Sequence, residues 1–257
     1  GGKSWTLVAL GGYAVRLGYN VLHYTLELGE DYVGRRYDSF FTKIPVNHIM
    51  EHKDKVEEII PQIEGKLVIK EFPTGRASIH TVESHIKKCM SQDVKPDLIL
   101  IDYVDLLSSK RKNVDRKYEI DDIYTSTKGL ARELNVPIWS VSQVNRAGAK
   151  DDVIEGDKAA GSYDKIMITD FCLSLSRKAK DKVNGTGRFH VMKNRYGMDG
   201  LTFGVRANTS TGHFDVSNDL YVEDENPPQQ QPQNNFDSGV DKYDKQSLQK
   251  KFFELNS

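Results

Sequence analysis

Cysteine is scarce in this sequence, and long apolar runs are missing. The 257 residues include two cysteines, Cys89 and Cys172, which lie far apart and fit no metal-binding spacing. A reduced compartment is the simple expectation, so we predict a cytoplasmic protein. No stretch approaches the roughly 18 apolar residues of a membrane-spanning helix, and no signal-peptide pattern is visible.

The sequence also lacks an excess of positively or negatively charged residues. The formal net charge is −1, which excludes a protein that binds nucleic acid through overall basicity but leaves room for a local basic site. The hydrophobic fraction, 38 %, is low mainly because the C-terminal part is polar. We expect one domain over residues 1–222, a disordered linker rich in Pro, Gln and Asn over 223–239, and a short tail over 240–257. Apolar residues at helical spacing make that tail either a docking helix or a frayed end.

Apolar runs alternate with amphipathic stretches along the chain. The pattern predicts an α/β fold with a mainly parallel twisted sheet, helices on both faces and an antiparallel C-terminal extension. The predicted strands are 21–26, 67–72, 98–104, 138–142, 171–175, 189–193, 201–205 and 213–216. The predicted helices are 5–17, 32–42, 48–63, 79–90, 118–134 and 157–168.

The chain opens on the end of a phosphate-binding loop pattern. Gly2, Lys3 and Ser4 match the last three positions of G-x-x-x-x-G-K-[ST]. In that loop the glycine lets the backbone approach phosphate, the lysine reaches phosphate oxygens and the hydroxyl group binds Mg²⁺. Three residues alone also fit an ordinary turn. We expect the chain to begin inside this loop, without the first strand.

Two carboxylates end predicted strands. Asp102 closes the apolar run Leu-Ile-Leu-Ile-Asp, where parallel sheets bind ligands, and has the form of a Mg²⁺-positioning Walker B aspartate. Glu27 follows the strand after the first helix and could serve as a general base for an attacking water. Taken singly, each could also be a solvated residue at a strand end.

Three further polar residues follow later strands. Gln143 ends the strand at 138–142 and could contact a γ-phosphate. Lys193 and Arg195 end another strand, and an arginine there could stabilise the charge of a transition state from a neighbouring subunit. A polar strand end and a basic hairpin turn are the plainer interpretations of these positions.

A basic segment follows Asp102 closely. Residues 108–117 carry five cations and one anion, which suits contacts with nucleic-acid phosphates or a merely solvated loop. The candidate DNA-binding residues are Lys110, Arg111, Lys112, Arg116, Lys117, Arg146 and Lys150.

The order of these pieces resembles the RecA-like motor domain of hexameric replicative DNA helicases of the DnaB type, including phage forms. Residues 24–30 with the arginines at 35 and 36 resemble "S-L-E-M…A-R-R", and residues 100–107 resemble "I-D-Y-L-Q-L". Residues 128–137 (K-G-L-A-R-E-L-N-V-P) and 140–146 (S-V-S-Q-V-N-R) resemble "L-K-x-L-A-K-E-L-N-V-P…L-S-Q-L-N-R". The similarity spans roughly residues 1–206. Residues 158–162 depart from the acidic "R-E-S-G" segment of that family.

This resemblance implies a role for each candidate. Lys3 and Ser4 hold ATP phosphate and Mg²⁺, and Asp102 positions the metal ion. Glu27 activates water, while Gln143 links the γ-phosphate to DNA-binding loops. Lys193 and Arg195 act on a neighbour's nucleotide, so the resemblance implies a ring of identical subunits, as a homohexamer, around single-stranded DNA. Primase and a helicase loader are further partners that it implies, and the cytoplasm of a bacterium or of a phage-infected host is the location that it implies.

Two other functions stay open at this point. A RecA- or RadA-like recombination ATPase shares the fold but forms filaments. A nucleotide-gated DNA-binding scaffold would bind ATP without appreciable turnover.

Overall fold

Two four-stranded sheets organise the part of the chain that the structure describes. The structure is a computed structural model and describes residues 2–109, 115–142 and 163–220. The first sheet is parallel, in the order β2-β1-β3-β4, and the second is antiparallel, in the order β5-β6-β7-β8. The strands are β1 (Val21–Thr25), β2 (Leu67–Glu71), β3 (Leu98–Asp102), β4 (Ile138–Ser140), β5 (Phe171–Ser176), β6 (Thr186–Asn194), β7 (Thr202–Asn208) and β8 (His213–Leu220).

Seven α-helices lie within the same ranges. They are α1 (Lys3–Arg16), α2 (Glu30–Thr42), α3 (Lys53–Ile59), α4 (Ile79–Ser91), α5 (Arg116–Leu134), α6 (Tyr163–Ile168) and α7 (Ala179–Asn184). None of these helices is long and apolar enough to cross a membrane.

Side-chain alternation along β3 explains why helices cover both faces of the parallel sheet. Leu98 and Leu100 point into one core, which α1 and α2 complete. Ile99 and Ile101 point into the other core, which α4 and α5 complete. A strand buried on both faces is therefore continuously apolar, as its sequence predicted.

The antiparallel sheet shares the first of these cores. Phe189 and Phe214, from β6 and β8, belong to the same buried cluster as Trp5 of α1 and Phe40 of α2. The turn before β8 packs so closely on α1 that a Cβ atom at Gly212 would come within 2.8 Å of the Trp5 ring. The first turn of α1 is thus packed directly against the second sheet.

The predicted α/β class and all eight strands are confirmed. The antiparallel strands form a sheet of their own, however, and within the described residues they are not hydrogen-bonded to β4. The predicted helix over 48–63 is wrong as a single helix: Ile49–Glu51 and Ile60–Gln62 are 3₁₀ turns around α3. Pro61 contributes to that break because it has no N–H group to donate. The sequence did not predict α7, and of the helix predicted over 157–168 only α6 lies in the described residues.

A buried histidine–tyrosine pair lies between α2 and the parallel sheet. His23 Nδ1 and the Tyr37 hydroxyl group are 2.8 Å apart. A Cβ atom at Gly11 would collide with that hydroxyl group, so α1 needs a glycine here. Burial lowers the pKa of His23 to about 3, and the charge of Arg36 acts in the same direction. Folding therefore holds this imidazole neutral.

Acid should weaken the fold through His23. The unfolded chain binds a proton near pH 6.5 and the folded chain near pH 3, so stability falls as pH drops below 6.5. Between pH 7.5 and pH 5 the free energy of unfolding of the wild type should fall by about 2 kcal/mol more than that of a His23→Asn variant. Urea unfolding at both pH values measures the difference. His52→Asn, the same change at an exposed side chain, should keep the wild-type pH dependence; equal slopes for all three proteins would contradict the expectation.

Candidate nucleotide site

The carboxyl ends of β1 and β3 lie side by side and carry the two predicted carboxylates. The Leu26 N–H group, just after β1, donates to the Asp102 carbonyl oxygen at 2.9 Å. Glu27 and Asp102 therefore lie at the same edge of the sheet, where open α/β sheets bind ligands.

Helix α1 begins at this edge with features that suit an anion. Gly2 precedes it with φ 125°, a backbone conformation that favours glycine, and the first turn contains no acidic residue. The N–H group of Thr6 donates to the Gly2 carbonyl oxygen, so regular helical bonding starts there. The N–H groups at the start of a helix attract negative charge such as phosphate.

Ser4 acts on Asp102, which is 1 % exposed. Burial raises the pKa of Asp102, and hydrogen bonding by the Ser4 hydroxyl group opposes that shift. Its Oδ1 atom is buried and has no hydrogen-bond partner among the described residues. A hydroxyl group beside a buried carboxylate with an unpaired oxygen fits Mg²⁺, which prefers oxygen ligands.

Lys3 is electrostatically part of the same group. Burial lowers the pKa of Lys3, and three nearby carboxylates act against that shift. These are Glu27, Asp102 and Asp105. A partly buried ammonium group among carboxylates is placed to receive phosphate oxygens once a metal ion balances the negative charge.

Glu27 is held by a tight turn. The Thr25 hydroxyl group donates to the Leu28 carbonyl oxygen at 2.7 Å and accepts from the Leu28 N–H group at 3.1 Å. The turn fixes the backbone around Glu27 while leaving its side chain exposed. An exposed carboxylate at this position can meet a water molecule, as a general base must.

Arg36 joins the site, although the sequence pointed to it only as part of a motif. Its guanidinium carbon lies 4.8 Å from the Trp5 ring centre and 4.9 Å from that of Tyr32. In the described part of the chain its Nε and Nη1 atoms are buried without hydrogen-bond partners, and its charge lowers the pKa of Asp102 against the effect of burial. Its position could have been found from helical spacing. Arg36 lies three residues after Val33 and four before Phe40, which places it beside the buried face of α2.

Lys193 and Arg195 lie elsewhere, at the end of β6. Lys193 donates to the carbonyl oxygens of Ile166 and Met167 at the end of α6, at 3.0 and 2.7 Å. Arg195 Nε lies 3.2 Å from the carboxylate of Asp170, which also binds Lys128 at 2.7 Å. No hydrogen bond or ion pair within residues 2–109, 115–142 and 163–220 joins either one to Lys3, Ser4 or Asp102.

The remaining predicted residues divide into two groups. Arg116 and Lys117 begin α5 and are paired with Glu119 and Asp164 at 2.9 and 2.8 Å. Such exposed pairs contribute little to stability, so these cations can exchange partners. The others lie outside the described residues. They are Lys110, Arg111, Lys112, Gln143, Arg146 and Lys150.

A cavity of about 540 Å³ lies away from this site, between α2, α3 and β2. Its lining is mostly apolar and includes Tyr37, Phe41 and Ile60, with Asp38 and Glu57 as acidic members. None of the candidate site residues that the structure describes lines it.

Sequence comparison finds helicase relatives. The family model of the DnaB-like helicase C-terminal domain matches residues 2–159. A DnaB-like replicative helicase of Enterobacteria phage T4 is 26 % identical over 212 residues, covering 76 % of this chain and 44 % of that protein. A probable plasmid replicative DNA helicase of Chlamydia psittaci is 30 % identical over 132 residues, 49 % of this chain and 28 % of that protein. The chain thus spans less than half the length of these relatives.

Structure comparison finds the same fold. A solved ATPase domain matches with a TM-score of 0.68 at 19 % identity, covering 82 % of this chain and 80 % of that one. A DnaB-like replicative helicase, described with its interactions with primase, also matches with a TM-score of 0.68 at 19 % identity. That match covers 81 % of this chain and 55 % of the other.

Proposed function

This chain belongs to the DnaB-like helicase C-terminal domain family, and we propose that it hydrolyses ATP at the subunit interfaces of a ring and so moves along single-stranded DNA. The observation that carries the proposal is the meeting of Lys3, Ser4 and Asp102 beside Glu27 at one sheet edge. Each of these residues is weak evidence singly, but together they form the phosphate, metal and water positions of an ATPase.

Each residue has a part in hydrolysis. Lys3 and the start of α1 bind phosphate oxygens, and Ser4 and Asp102 would hold Mg²⁺, which neutralises phosphate charge when bound. Glu27 accepts a proton from water as the water oxygen bonds to the γ-phosphorus. The bond from that phosphorus to the bridging oxygen of ADP then breaks. Arg36 balances the charge of Asp102 and offers the site two buried N–H-bearing atoms that have no partner among the described residues.

Lys193 and Arg195 are proposed to act on a neighbour's nucleotide. Their contacts with α6 and Asp170, away from Lys3, support a role outside their own subunit's site. A positive side chain that completes another subunit's site requires assembly, and a homohexameric ring is the form that the family suggests.

The segments after Asp102 and Ser142 are proposed to bind the DNA backbone. Their cations suit contacts with phosphates that carry no sequence information, and Gln143 would relay the state of the γ-phosphate to them. Arg116 and Lys117 support this assignment, because their exposed ion pairs can yield to phosphate. Primase and a loader are proposed as partners of the full-length protein, since a structural neighbour is described with primase.

ATP hydrolysis by the full-length protein, with and without single-stranded DNA, tests the proposal. We expect Mg²⁺-dependent hydrolysis that DNA stimulates at least fivefold. Hydrolysis that ignores DNA would favour a different RecA-fold ATPase, and ATP binding without hydrolysis would favour the nucleotide-gated scaffold. Electron microscopy separates the recombination ATPase, since it would form filaments rather than rings.

A further inference from the structure

A partly buried triad joins three elements close to the nucleotide site. Asp105 Oδ2 accepts a hydrogen bond from the Ser142 hydroxyl group at 2.9 Å and lies 2.9 Å from Lys165 Nζ. Lys165 also donates to the Ser142 oxygen at 3.1 Å, which closes the triangle. The side chains of Asp105 and Lys165 are 13 % and 15 % exposed, so solvent screens their pairing little.

The residues of the triad lie on both sides of segment 143–162 in the sequence. Asp105 lies three residues after Asp102, in the 3₁₀ turn Val104–Leu106 that follows β3. Ser142 immediately precedes Gln143, whereas Lys165 is in α6, just beyond residue 162. One carboxylate thus binds a side chain on each side of segment 143–162.

Asp105 also acts on the nucleotide site. Its charge is one of those that oppose the lowering of the Lys3 pKa by burial. The Arg116 guanidinium group donates to the Asp105 carbonyl oxygen at 2.7 Å, which ties the same turn to the start of α5. The turn therefore has direct contacts with residues near both proposed DNA-binding segments and an electrostatic effect on the phosphate-binding lysine.

Fold stability does not by itself explain the triad. Removing two charges from water has a cost that a buried ion pair often only offsets, and apolar replacements can be neutral or stabilising. Burial and the charge of Asp105 raise the pKa of Tyr124, whose ring lies 5.6 Å from Lys165 Nζ. The Tyr124 ring thus lies beside the ion pair.

We propose that Asp105 is a positioning residue that transmits nucleotide occupancy to both ends of segment 143–162. The importance of Asp105 for DNA translocation rests on the proposed function. The inference itself is the electrostatic link between bound nucleotide and the triad. Nucleotide at Lys3 and Ser4 changes the charge next to the turn, and the triad passes that change to Ser142 and Lys165 together.

Amide hydrogen exchange in the full-length protein tests the inference. Adding AMP-PNP should slow exchange within residues 143–162 at least threefold in the wild type and by less than 1.5-fold in Asp105→Asn. Asparagine keeps the shape and can still accept from Ser142, but it removes the charge that pairs with Lys165. Lys165→Met should give the same loss, and the double variant should be no worse than either single one.

Asp164→Asn is the matched control. It removes an exposed ion pair, with Lys117, from the neighbouring position of α6 and should leave the exchange response at the wild-type level. If Asp105→Asn unfolds, Ser142→Ala keeps the ion pair and should reduce the response by about half. An unresponsive wild-type segment, or an equal response in Asp105→Asn and wild type, would overturn the inference.

A different measurement tests the proposed function. Hydrolysis that DNA does not stimulate would remove the helicase assignment, while the exchange response would still report on the triad. With both intact in the wild type, Asp105→Asn should lower the stimulation of hydrolysis by DNA from at least fivefold to less than twofold.

Discussion

Replacing Glu27 with glutamine should leave ATP binding intact and lower the rate of hydrolysis by a factor of about 10²–10⁴. Glutamine keeps the size of the side chain and the hydrogen-bonded turn of Thr25 and Leu28. It cannot accept the proton that water must lose as the new bond to phosphorus forms. Steady-state hydrolysis and binding of a fluorescent ATP analogue, measured on the same preparation of full-length protein, separate the two effects.

The matched control for this variant is Glu30→Gln. Glu30 is exposed, three residues further along, and pairs with Lys70 at 3.3 Å at the start of α2. The same chemical change there should alter hydrolysis by less than twofold. Turnover of Glu27→Gln within threefold of wild type would assign the proton acceptor to another group.

Arg195→Ala subunits should be nearly inactive and should also inhibit wild-type subunits mixed with them. If the guanidinium group serves a neighbour's nucleotide, each variant subunit disables one interface, where removal of such a finger lowers hydrolysis by about 10³–10⁵. In a ring whose sites hydrolyse ATP in turn, one disabled interface also stalls the wild-type interfaces. Total activity at a 1:1 mixing ratio should therefore lie well below half of the wild-type rate. The measurement is hydrolysis across a series of mixing ratios, after subunit exchange.

Two observations control this experiment. Arg206→Ala removes an exposed arginine from β7, in the same sheet, and should give additive mixing curves at the wild-type rate. Light scattering should show that Arg195→Ala subunits still assemble. A strictly linear mixing curve for Arg195→Ala would contradict coupled action on a neighbour's site.

Local patterns predicted the strands and the residues that end them. The run from Leu98 to Ile101 is apolar at every position, and the polar Asp102 that follows must emerge at the carboxyl edge of the sheet. Both the strand and the position of Asp102 at that edge could be predicted because buried parallel strands leave few other arrangements.

Contacts between distant segments could not be predicted in this way. Asp105 and Lys165 are 60 positions apart, and nothing in their immediate neighbours indicates that they pair. The prediction of a single helix over 48–63 was wrong for a related reason. Apolar spacing alone does not indicate where α3 ends and a 3₁₀ turn begins. Arg36 was visible as a helix-face residue, but its stacking between Trp5 and Tyr32 depends on how α1 and α2 pack.

The packing of Trp5 against the Gly212 turn has a consequence for a ring. Trp5 directly follows Ser4, which is proposed to bind Mg²⁺, and it shares a core with Phe189 of β6, the strand that carries Lys193 and ends just before Arg195. The residues proposed to bind ATP and those proposed to reach a neighbour are therefore fixed to one hydrophobic core. In the proposed ring, a rotation of one subunit on binding nucleotide would carry its Arg195 through the same rotation relative to the next site. Coupling between neighbouring sites would then need no further moving part, because the rigid core of each subunit supplies it.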